Sequence, residues 1–269
     1  MLILHPFSIP IINAMNRRLY NSLVTILSCS AALILFGCKD NHEWVAKVEQ
    51  PKYLHNTMKA ITDRIVFDIF SPPVASRIYT YTTVSAYEAG RFSDSTLVSL
   101  SGQLTGLGKL PQPETGKEYS FPLASVQAMY KTGRTLIFSE DVLQQYYDQM
   151  TQELKSSGIP DEVWDRSIAF GDSVSAAVLK WASKDNYKQS RSFPKYTISN
   201  DDYSWKPTPP AYMDAVEPHW NKIRPFAMDS AAQFKPVPPV PFSTDKNSDF
   251  YKYAREVFDI RNKIGRAHV

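Results

Sequence analysis

An all-α fold is expected from this 269-residue sequence, and three observations predict it. Apolar residues recur at three and four positions through most of the chain, and no stretch alternates with the period of two that a half-buried strand needs. Proline falls between the periodic stretches, where it starts or stops helices, rather than inside them. The architecture implied is a helical bundle crossed by a long segment rich in proline and aromatic residues.

The first helix runs from Pro51 to Phe70, with Leu54, Met58, Ile61, Ile65 and Ile69 on one face. Ser71-Pro72-Pro73 ends it and opens the next, since proline is tolerated in a first turn. That second helix reaches about Arg91, with Val74, Ile78, Tyr81 and Val84 inward and Ala86 and Ala89 small enough for close approach. Residues 93–120 read as a loop, whose isolated Gly106-Leu107-Gly108 is no nucleotide fingerprint. Three helices follow, over about 122–137, 140–156 and 160–183. The first carries Val126, Met129 and Leu136. In the second, Ser139 is placed to cap, Glu140 and Asp141 favour the first turn, and Leu143, Tyr146, Met150 and Leu154 form the stripe. The third spans about 36 Å at 1.5 Å per residue, and Gly171 in its interior marks a close crossing at a propensity cost of about 1 kcal/mol. From 186 to 245 periodicity is lost. Loops of that length usually wrap a surface or serve a site, and aromatic residues from Phe193 to Phe242 imply packing on the helices. Another helix begins over 248–263, with Phe250, Tyr253, Ala254, Val257 and Ile260 as its apolar residues.

With 43% hydrophobic and 21% charged residues the chain can bury a core. Nineteen prolines against ten glycines exclude collagenous and Gly/Ser-linker classes. The formal charge of +3 lies at the ends: setting aside Arg17, Arg18 and Arg266 from the 30 basic residues leaves 27, equal to the 27 acids. The body is neutral and carries no footprint for nucleic acid.

Met15-Asn16-Arg17-Arg18, then the apolar run Leu19 to Phe36, read as a secretory signal that begins naturally at Met15 and occupies residues 1–37. Leu35-Phe36-Gly37-Cys38 resembles a bacterial lipobox, which makes Cys38 the lipid-attachment residue and 38–50 a lipidated tether. Two or more acyl chains anchor stably, so the membrane is an expected partner and the cell envelope, specifically the outer membrane, the expected location. The only cysteines are Cys29 and Cys38, so the exported body has neither a disulfide framework nor a thiolate metal site. At the other end, 264–269 reads as a translated sequencing adapter, which leaves 51–263 as a truncated natural region and removes His268 from consideration.

Chemistry is sparse. His42, His55 and His219 are not spaced as metal ligands, and neither H-E-x-x-H nor G-x-S-x-G occurs. Glu217-Pro218-His219-Trp220 is the most suggestive cluster, although a packed Trp220 beside a hydrogen-bonded His219 explains it better. The acid pairs Asp63 with Asp68, Asp161 with Asp165, and Asp201 with Asp202 could serve as acid and base, or simply favour a helix start or a turn.

Pro72-Pro73-Val74-Ala75-Ser76-Arg77-Ile78-Tyr79 with Ala86-Tyr87-Glu88-Ala89 resembles the opening helices of bacterial vanadium-dependent haloperoxidase-like proteins, of the phosphatidic acid phosphatase type 2 superfamily. The resemblance continues through Trp181 to Tyr187, Trp205 to Pro210, Glu217 to Trp220 with Arg224-Pro225-Phe226, Phe234 to Pro239, and Ser248 to Tyr251. It implies an enzyme that oxidises halide with hydrogen peroxide at vanadate, or hydrolyses phosphate esters on the same scaffold. Its active site is built from K-x6-R-P, P-S-G-H and S-R-x5-H, whose cationic donors would hold the oxyanion. None of these motifs is in this sequence; Arg224-Pro225 supplies the R-P pair, but Glu217 stands where the lysine would be. Catalytic, cofactor and metal residues are therefore expected beyond this chain, vanadate belongs to the full-length protein, and the piece in hand is expected to be inactive. The alternative is a non-enzymatic glycan-binding lipoprotein, for which Trp205, Tyr212 and Trp220 would form an exposed flat platform.

Overall fold

The computed structural model describes residues 42–267. Met15, Cys29, Cys38 and His268 lie outside the described residues. The elements are α1 (Glu43–Val48), α2 (Pro51–Phe67), α3 (Pro72–Gly90), α4 (Phe121–Leu136), α5 (Glu140–Lys155), α6 (Asp161–Ala182), the single turn α7 (Tyr187–Ser190) and α8 (Asp249–Ala267). Among the described residues there is no strand, and the fold is all-α as expected.

Helix α4 is the axis of the bundle. It packs on α3 and α6, with α2 and α5 outside. Its residues from Leu123 to Tyr130 are buried without a break, as a helix surrounded by others requires. Small residues make this possible. A Cβ at Gly171 of α6 would lie 2.6 Å from the carbonyl oxygen of Ala124, so the close crossing expected there is real. On the other side, a Cβ at Gly133 would meet Ile61 Cδ1 at 2.5 Å. Polar groups caught in the seam satisfy one another: Thr132 Oγ1 donates to Ser85 Oγ at 2.8 Å and lies 2.9 Å from Ser175 Oγ.

Three expectations need correction. The tether is folded from residue 43, because Trp44 and Val48 are one turn apart and enter a cluster with Tyr53, Met150, Leu154 and Trp164. Ser139 does not cap α5 with its side chain. Instead Asp68, just past the end of α2, fixes the approach to the helix by accepting the Phe138 and Ser139 amides at 2.8 and 3.1 Å. The rings of the long segment, expected to pack on the helices, are largely open to solvent, with Tyr203 70% exposed, and so is the apolar row of α8, where Val257 is 69% exposed.

The long segment crosses the bundle through few anchors. Ile223 is buried, and Trp220 and Phe226 pack against the core. Elsewhere its rings face water, with Trp205 48%, Tyr212 62% and Phe234 76% exposed.

Candidate functional site

The most organised polar centre lies where the long segment meets α3 and the end of α6. Arg77 projects from α3 and is buried beside Asp185, three residues past the end of α6. Asp185 Oδ2 accepts from Arg77 Nε at 3.0 Å, Arg77 Nη2 at 2.5 Å and Tyr81 Oη at 2.6 Å. Its other oxygen accepts the Tyr187 amide at 2.7 Å, which fixes the turn into α7 around Asn186, a left-handed residue at φ 74°. Arg77 Nη2 also donates to the Tyr81 hydroxyl. Above the guanidinium stand the rings of Phe226 at 4.5 Å and Trp220 at 5.8 Å.

This centre holds the backbone of the long segment. Arg77 Nη1 donates to the Arg224 carbonyl at 3.3 Å, and the Arg224 amide donates to the Asp185 carbonyl at 2.9 Å. Arg224 lies over Trp181 and donates Nη2 to the Trp181 carbonyl at 3.0 Å, while its Nε is buried without a partner. The loop before α4 joins in, because Thr105 gives its amide to Phe226 at 2.7 Å and accepts from Trp181 Nε1 at 3.0 Å. Glu88, buried on α3, clamps the same loop farther along by accepting the Leu100 amide at 2.5 Å and both Ser99 and Arg91.

Burial, followed by the bond to Asp185, pushes the Tyr81 hydroxyl well above its ordinary value. The neutral phenol is thus favoured in the folded state. Stability from this group is complete below the unfolded value near pH 10 and is lost as pH rises toward the folded one. Urea unfolding between pH 9 and 11 should show a fall that Tyr81→Phe reduces; an unchanged slope would contradict the burial assignment.

The residues singled out from sequence are scattered. His42 sits exposed before α1, its Nδ1 3.9 Å from Glu118, and His55 is exposed on α2. His219 Nε2 lies 2.6 Å from the Pro194 carbonyl, and since a carbonyl only accepts, Nε2 carries the proton. Glu217 pairs with Arg191, and Trp220 turns to the core rather than toward Glu217. Asp63 pairs with Lys59 across one helical turn while Asp68 binds backbone, so these two acids do not act together. Asp161 and Asp165 are exposed on the first turns of α6, and Asp201 closes a turn with Ser199 beside exposed Asp202. Of the three rings proposed as a platform, Trp205 and Tyr212 are open and Trp220 is packed, so the three do not form one flat surface.

Among the described residues, no three His, Cys, Asp or Glu side chains are grouped to hold a metal ion, and no helix is long and apolar enough to cross a membrane. Two cavities adjoin the residues described. One of about 490 Å³ lies beside Arg191, Glu217 and His219; another, of about 350 Å³ and largely apolar, lies between Phe70, Ile78, Leu136 and Tyr187 over the Arg77–Asp185 pair.

The chain is similar to the crystal structure of a bacterial vanadium-dependent iodoperoxidase, at 46% identity and a TM-score of 0.76. The match covers 81% of this chain and 52% of that one, so the chain spans about half the length of the relative. No family model matches the sequence, and no curated protein does. The chain is vanadium haloperoxidase-like.

A vanadate site needs several cationic donors left free to converge on one tetrahedral anion, with an imidazole beside them. Neither cationic centre described above fits. At Arg77 the carboxylate of Asp185 already takes the anion's place, and the partners described for the centre include no histidine. At Arg191 the partner is Glu217, and the Nε2 proton of His219 is held by a carbonyl.

Proposed function

We propose that this chain is the N-terminal part of a lipid-anchored, vanadium-dependent haloperoxidase-like enzyme of the bacterial envelope. The full-length protein oxidises halide with hydrogen peroxide, or hydrolyses phosphate esters on the same scaffold, and residues 1–269 alone do neither. One observation carries the reading: strong similarity to an iodoperoxidase over most of this chain, but over only 52% of the relative. Inactivity of this part is supported by the missing K-x6-R-P, P-S-G-H and S-R-x5-H motifs and by the pairing of Arg77 with Asp185 and of Arg191 with Glu217. Anchoring rests on Leu35-Phe36-Gly37-Cys38, followed by a tether that ends where α1 begins at Glu43.

The test is the genomic sequence downstream of the codon for Lys263. An uninterrupted frame that carries the three motifs is expected. A natural stop near Val269 overturns the enzyme reading. In that case the glycan-binding lipoprotein, for which Trp205 and Tyr212 but not Trp220 are exposed, is to be tested by titration with soluble oligosaccharides.

A further inference from the structure

We infer that one ridge of this chain is the seam on which the second half of the full-length protein packs; the inference rests on the reading just proposed. The ridge starts on the crossing segment and continues along α8. Tyr203 stands 6.4 Å from Phe242, and Phe242 meets Phe250, in the first turn of α8, edge-on at 5.0 Å. From Phe250 the row continues through Tyr253, Val257 and Ile260, spaced by three and four residues and therefore on one side of the helix. The Arg255–Asp259 pair, at 3.0 Å, lies on the opposite side.

Such a division between apolar and charged faces is the pattern of a helix that packs by one side. Yet Tyr203 is 70%, Val257 69%, Tyr253 58% and Ile260 49% exposed. None of the three core clusters includes a residue of α8. A continuous apolar row of this size, left open on a soluble body, marks a contact surface. Three occupants fit an apolar row: a second copy, residues 1–41, or further chain. The length comparison favours the last, because the relative has about as much chain again as the part matched here. Isolated helices of this length are marginal in water, so α8 gains most of its stability from whatever covers that row.

Amide hydrogen exchange over residues 249–263 tests this, in the 269-residue protein and in the protein extended through the downstream frame. Extension is expected to slow exchange in that segment by about 100-fold or more while the α4 amides change little. In the extended protein, Val257→Asp with Ile260→Asp should remove the added protection from 249–263 and leave α4 protected, which separates loss of the seam from loss of the fold. If the frame continues but 249–263 exchanges equally fast in both proteins, the seam is wrong and the enzyme reading stands. If the frame stops, both fall. Protection already present in the 269-residue protein also overturns the seam: dependence on protein concentration would assign the row to a second copy, and independence to residues 1–41.

Discussion

Asp185→Ala is expected to lower the unfolding free energy by about 3–5 kcal/mol, the cost of leaving one member of a buried ion pair without its partner. The Arg77 and Asp185 side chains are 8% and 5% exposed, so water cannot replace the lost carboxylate. Three donor bonds to Oδ2 and the amide bond to Oδ1 disappear together. The consequence extends beyond the pair, because the same guanidinium holds the Arg224 carbonyl and the stretch that places Trp220 and Phe226. Proteolysis within 187–245 should therefore rise in the variant before global unfolding. Arg77→Met combined with Asp185→Leu removes both charges and should recover much of the loss. Urea unfolding of the two single variants and the double variant measures this; additive losses in the double variant would contradict a coupled pair.

Gly171→Ala is expected to destabilise by about 1–3 kcal/mol, against the gain of about 1 kcal/mol that alanine brings to a helix interior. The contact decides the sign, because the new Cβ would lie 2.6 Å from the Ala124 carbonyl oxygen and 2.8 Å from Gln127 Cβ. A backbone oxygen inside a neighbouring helix cannot yield without moving α4. Gly133→Ala is the comparison: its Cβ would meet a side chain, Ile61 Cδ1 at 2.5 Å and Cγ1 at 2.9 Å, and not a backbone atom of another helix. A smaller loss is expected there by thermal or urea unfolding, and stabilisation at Gly171 would show that α4 and α6 are not in the close contact described.

The positions of α2 to α6 were legible because most of them carry their own periodicity and a proline or acidic start, whereas the short α1 and α7 were not. Pro51, Pro72 and Pro122 all fall at the first or second helical position, and the acids Asp161 and Glu162 open α6. Gly171 was legible too, since a glycine inside a long apolar helix needs a packing reason. The polar centre was not. Arg77 and Asp185 are 108 residues apart, and neither differs locally from a solvated charge. Asp185 lies in a segment that carried the family resemblance, but resemblance alone does not say which oxygen holds which helix. Ser139 stands at the N-cap as its residue type suggested, yet its side chain makes no cap bond, and Asp68, about 70 residues earlier, holds the Phe138 and Ser139 amides. The apolar row of α8 was legible, but its exposure was not, because sequence periodicity reports the presence of a packing face without reporting its partner.

The central claim, that this is one part of a haloperoxidase-like enzyme whose catalytic groups lie elsewhere in the protein, is tested most directly by vanadate titration. Peroxide-dependent iodide oxidation should be measured for the 269-residue protein and for the protein extended through its downstream frame, with phosphate-ester hydrolysis measured alongside. The account expects no vanadate-dependent turnover from the 269-residue protein and saturable turnover of iodide or phosphate ester from the extended one. Vanadate-dependent turnover by the 269-residue protein, or inactivity of the extended protein in both assays, would contradict it.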